Sequence, residues 1–117
     1  MAELLTVLFV EDDDQVRDVL AQALSSSKFH VLTAENGYAA LRIIAQTHVD
    51  VLFTDIVMPG LNGIELAKQA KLLRPDLQVI LETGYFSRAD EARSLGPLLF
   101  KPLRAHEIEA EIRKLVH

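Results

Sequence analysis

Five apolar runs of strand length alternate with stretches of helical period along the chain, and this alternation restricts the fold more than any other feature. It is the pattern of an α/β domain whose parallel sheet is covered by helices on both faces. Strands are expected over 6–10, 30–34, 51–54, 78–81 and 98–100. The helix over 14–25 carries Val16, Val19, Leu20, Ala23 and Leu24 on one face at three- and four-residue spacing. A second, over 38–46, is expected to bury Ala40, Leu41, Ile44 and Ala45. A third, over 62–74, stops where Pro75 disfavours helical geometry for the residue before it. The last, over 105–116, has Ile108, Ile112, Leu115 and Val116 as its apolar stripe. Between Gly84 and Gly96 the helical signal is weak, with Phe86, Ala89, Ala92 and Leu95 as the few apolar anchors. That segment is expected to be the weakest-held part of the fold.

A chain of 117 residues, half of them hydrophobic, suffices for one domain over 1–117 that buries about two-thirds of its unfolded surface. The net charge is −5, and no basic run or basic-aromatic stripe offers a footprint for a phosphate backbone, so no nucleic-acid partner is expected. Cysteine is absent, which excludes disulfides, thiolate metal sites and cysteine catalysis. Glu3 before a short apolar run ending in three acids fits neither a signal peptide nor a membrane span, so the chain reads as soluble, and the lack of cysteine suits a reducing cytoplasm. His30, His48, His106 and His117 share no ligand spacing and read as structural or surface residues.

Chemistry gathers at the strand ends. The run from Val51 delivers Asp55 and then breaks at Pro59-Gly60, and the first strand runs into Glu11, Asp12 and Asp13. In an open parallel sheet the carboxyl ends of the strands form the ligand crevice, so these acids should meet. Two unit charges about 4 Å apart repel by about 4 kcal/mol at an effective dielectric near 20, so the cluster needs a cation, a proton or a lysine. Lys101, between Phe100 and Pro102, can be the lysine. Asp13 reads equally well as a helix N-cap or as a metal neighbour.

The chain resembles the receiver domain of two-component response regulators over essentially its whole length. Glu11-Asp12, Asp55 followed by Ile-Val-Met-Pro59-Gly60 and Asn62-Gly63, Thr83-Gly84, and Lys101-Pro102 stand in the family's order at successive strand ends. The resemblance implies a flavodoxin-like, doubly wound (βα)5 fold with strand order 2-1-3-4-5. It implies that Asp55 accepts a phosphoryl group from a histidine kinase or histidine phosphotransfer protein. Mg²⁺ would sit on Asp12, Asp55 and the backbone carbonyl of Val57, with Glu11 reached through water, as an oxygen-ligand site. Lys101 would neutralise the phosphoryl oxygens, and the Thr83 hydroxyl would act as the switch toward an unknown downstream protein target. A cis Lys101–Pro102 bond also comes from the resemblance alone.

Three features depart from the family pattern. The segment from Thr83 to Lys101 is about one helical turn short, so the fourth helix should be short or irregular. Leu98 stands where many receivers carry a ring that turns inward, which puts a threonine-to-ring relay in doubt. Glu82 precedes the switch threonine where a neutral residue is commoner. Thr83-Gly84-Tyr85 and Pro97 to Pro102 resemble a subclass with an altered fourth helix, often found as single-domain proteins. The reading is of a phosphoacceptor rather than an enzyme. A phosphatase with an aspartate nucleophile would place a second acid two residues after Asp55, where Val57 stands. A receiver excised from a hybrid histidine kinase and a degenerate receiver that only binds partners are the alternatives. The oligomeric state is not readable.

Overall fold

A computed structural model describes residues 5–25, 29–84 and 89–115. Among them run β1 (Leu5–Val10), α1 (Asp14–Ser25), β2 (Phe29–Ala34), α2 (Gly37–Gln46) and β3 (Val51–Asp55). Then follow α3 (Gly63–Leu73), β4 (Gln78–Thr83), α4 (Ala89–Arg93), β5 (Leu98–Phe100) and α5 (Ala105–Leu115). All strands pair in parallel, in the order β2-β1-β3-β4-β5. The strand order reverses between β1 and β3, which places a crevice beyond their carboxyl ends. The expected strands and topology are therefore present, and α4 is short, as the missing turn requires.

Alternation along the strands builds two cores. Leu8, Val10, Leu52, Val79 and Leu81 pack with Ala40 and Ile44 of α2 and with Ile64, Ala67 and Ala70 of α3. Val7, Phe9, Val51, Phe53 and Ile80 face the other way, onto Leu24 of α1 and Ile108 and Ile112 of α5. The Phe9 and Phe53 rings lie 5.2 Å apart, centroid to centroid, within the second core. Both faces of β1 and β3 are thus buried, which is why these strands read as unbroken apolar runs rather than alternating ones.

Local signals set the helix ends. Asn36 and Asn62 accept from the Ala39 and Glu65 N–H groups at the starts of α2 and α3. Asp13 Oδ1 accepts from the Gln15 and Val16 N–H groups, so Asp13 caps α1. Gly96 runs so close to β4 that a Cβ there would fall 2.0 Å from the Val79 carbonyl oxygen, which only glycine permits. Ala92 is the buried anchor of α4, and Arg93 lies over the Phe100 ring of β5. Tyr85, Phe86, Val116 and His117 lie outside the described residues.

Two helices bury less than their patterns suggest. Val16 and Val19, expected on the inner face of α1, are 39% and 66% exposed, and Leu24 is that helix's one fully buried residue. Val16, Val19 and Leu20 of α1 instead line a shallow opening with Leu103. Ala45 of α2 is likewise exposed and Leu41 only half-buried.

Candidate functional site

The period of two that builds the second core also builds the site. One step past Phe9, Phe53 and Ile80 on the same face come Glu11, Asp55 and Glu82, and Lys101 follows Leu99 in the same way on β5. Four charged side chains therefore continue four apolar rows out to the strand ends. Together with Asp12, they line one cavity of about 680 Å³ that extends to Val16, Leu20 and Leu103.

Asp55 is 4% exposed. Its Oδ1 accepts the Val57 N–H at 3.1 Å and its Oδ2 accepts from Lys101 Nζ at 2.6 Å. Gly63 permits this close packing, since a Cβ there would lie 2.1 Å from the Asp55 carbonyl oxygen. Glu11, also buried, accepts from the Asp13 N–H at 3.3 Å, and its Oε1 lies 3.5 Å from Lys101 Nζ. Burial raises the Glu11 carboxyl above its ordinary value, against the opposing Asp13 hydrogen bond. For Lys101 burial acts downward, but the hydrogen bond to Asp55 and the charges of Asp55, Glu82 and Glu11 outweigh it and raise the ammonium. Lys101 thus stays charged, as a counter-ion to several carboxylates must.

Glu11, Asp12 and Asp55 bring one carboxylate oxygen each to within 4.8 Å of one another. This all-oxygen donor set, with Asp12 open to solvent, suits a hard divalent cation that keeps part of its water shell. Val57 lines a second opening of about 420 Å³ with Asp55, Gly84 and Lys101. Thr83 is buried at the end of β4, and its carbonyl accepts the Lys101 N–H at 2.9 Å, which ties the β4 and β5 ends together. The Lys101–Pro102 peptide bond is cis. Leu98 is not brought to the acids: it pairs with Leu81 and packs on the opposite core.

Sequence reasoning flagged Glu82 as a departure but gave it no role. The structure pairs it in register with Asp55, at 2% exposure, and leaves its Oε1 without a hydrogen-bond partner among the described residues. Burial raises its carboxyl from 4.5 to about 7, with Lys101 pulling down and Asp55 and Glu11 pushing further up. Its spacing from Ile80 was the available signal. The apolar patch of Val16, Val19, Leu20 and Leu103 beside the acids was also missed as a surface. It resembled helix core because spacing alone does not tell which face is covered.

Comparison with known proteins bears on this arrangement. A family model described as the response regulator receiver domain matches residues 7–113. The response regulator receiver protein CpdR of Brucella abortus (strain 2308) is 35% identical over 114 residues, covering 94% of this chain and 95% of that protein. Among solved structures, the CheY-like response regulator receiver domain protein from Methanospirillum hungatei JF-1 matches with TM-score 0.90 and 28% identity, over 97% of this chain and 94% of that one. The response regulator protein TrrA from Thermotoga maritima, solved in complex with Mg(2+)-BeF, matches with TM-score 0.88 and 28% identity, over 97% of this chain and all (100%) of that one.

Proposed function

The chain belongs to the response regulator receiver family, the phosphoacceptor modules of two-component systems, and from that premise we propose that Asp55 is its phosphoacceptor. The observation that carries this reading is the convergence of Lys101 and the Glu11–Asp12 pair on one buried strand-end carboxylate. In the reaction an Asp55 oxygen forms a bond to phosphorus while the P–N bond of a phosphohistidine breaks. The electron pair leaves on the imidazole nitrogen of the donor, a histidine kinase or histidine phosphotransfer protein. Glu11, Asp12, Asp55 and the Val57 carbonyl are the residues that would hold Mg²⁺, which when bound supplies positive charge against the phosphoryl oxygens. Lys101 supplies the chain's own positive charge there, and the Thr83 hydroxyl, at the adjoining strand end, donates to the phosphoryl group in the switched state.

Val16, Val19, Leu20 and Leu103 give the donor protein an apolar docking surface at the edge of the acids, which accounts for large apolar side chains left exposed on α1. The product is a conformational state rather than a released chemical, and the place of action is the cytoplasm. Among the described residues no helix is long and apolar enough to cross a membrane. Incubation with acetyl phosphate and Mg²⁺ should add one phosphoryl group, seen by intact mass, and Asp55→Asn should abolish it. Equal labelling of the variant, or none of the parent, would refute the assignment.

A further inference from the structure

We propose that Glu82 is a positioning residue for Lys101: it takes up the ammonium once Asp55 is phosphorylated and holds it against the phosphoryl group. The proposal rests on the assignment of Asp55 above. Lys101 has three N–H donors and a choice of carboxylates. In the structure it sits 2.6 Å from Asp55 Oδ2 and 3.5 Å from Glu11 Oε1. Glu82 lies one rung across the sheet from Asp55, on the same face, in the same cavity and almost wholly buried. Its Oε1 has no partner among the described residues. A buried carboxylate oxygen without a donor is costly, and such atoms are few in folded chains, so this one calls for a donor that arrives.

Phosphorylation supplies the occasion. The bond between Lys101 and Asp55 Oδ2 is a charge-assisted one to an anionic oxygen. When Asp55 becomes an acyl phosphate, its bridging oxygen carries no charge and is a weak acceptor, so the ammonium loses its resting partner. Glu82 is the buried anionic acceptor beside it. One N–H then goes to Glu82 and the others remain for the phosphoryl oxygens. A receiver with an apolar side chain at this position would have only the phosphoryl group and Glu11 to hold the lysine. Glu82 thus serves as a second seat beside Asp55, in the same cavity.

Two measurements at pH 8 test this. First, the melting temperature of metal-free protein is compared for Glu82→Gln in the parent and in Asp55→Asn. In the parent, removal of a carboxylate without a partner should raise the melting temperature. In Asp55→Asn, where Lys101 is free to move onto Glu82, the same change should lower it, a difference of about 5 °C between backgrounds. In Asp55→Asn with Lys101→Ala the reversal should vanish. Second, Glu82→Gln should slow labelling by acetyl phosphate about tenfold at saturating Mg²⁺, with Mg²⁺ half-saturation unchanged, and should have no effect in Lys101→Ala. Equal temperature shifts in both backgrounds, or a labelling defect that persists without Lys101, would overturn the proposal. A parent that takes no label would instead sink the assignment of Asp55 while leaving the thermal test of the lysine contact standing.

Discussion

Asp55 and Glu82 are register partners on adjacent strands, face the same way and are both buried, yet they are equipped differently. Asp55 has a backbone N–H on one oxygen, a lysine on the other and two further acids within reach of a shared cation. Glu82 has an oxygen with no donor among the described residues and a carboxyl pushed up to about 7 by burial. Position on a sheet therefore fixes where a charge points but not what it can do. The groups arriving from β1, β5 and the loop after β3 decide that, and they arrive at Asp55.

The largest effect expected from this contrast is on stability. An acid whose folded-state pKa is raised keeps its proton longer in the folded chain than in the unfolded one. Its contribution is intact below pH 4.5 and is lost as pH rises through about 7. At about 1.4 kcal/mol per pH unit the loss approaches about 3 kcal/mol. Glu82→Gln should remove that loss, so denaturant unfolding at pH 5 and pH 8 should show parent and variant diverging in favour of the variant at the higher pH. Parallel profiles would mean that Glu82 has partners as good as those of Asp55.

A smaller effect separates the acids that share a cation from the one that does not. Millimolar Mg²⁺ should raise the melting temperature by several degrees through mass action. Asp12→Ala should reduce that response most, and Glu82→Gln should leave it nearly as it was. A melting curve indifferent to Mg²⁺ would count against the oxygen site at Glu11, Asp12 and Asp55. The smallest effect belongs to the exposed patch: Val19→Ser should change stability by no more than about 0.5 kcal/mol. It should leave labelling by acetyl phosphate as it was while slowing transfer from a phosphohistidine-bearing protein. Equal transfer rates from that protein to parent and variant would remove the docking role.

Much of this was legible in the sequence. The strands and the end of the third helix follow from the apolar runs and Pro75, and the order β2-β1-β3-β4-β5 from the family resemblance carried by the motifs at successive strand ends. The meeting of Glu11, Asp12, Asp55 and Lys101 was also readable, because carboxyl ends of parallel strands converge wherever the strand order reverses. What could not be read was coverage. Val16 and Val19 share the helical spacing of Leu20 and Leu24, yet they lie outside the core, on a shallow opening with Leu103. Asp13 was open between a cap and a metal neighbour because the choice depends on a side-chain rotamer that one sequence does not specify. Glu82 was visible as an oddity, but its missing partner is a property of three strands together.

The assignment of Asp55 over its neighbours is tested most directly by trapping the acyl phosphate. Borohydride reduces an aspartyl phosphate to homoserine and a glutamyl phosphate to hydroxynorvaline. After acetyl phosphate and Mg²⁺, peptide mapping should find homoserine at position 55 and unchanged residues at 11, 12 and 82. Homoserine at Asp12, hydroxynorvaline at Glu82 or Glu11, or no reduced residue in protein that has gained phosphate would contradict it.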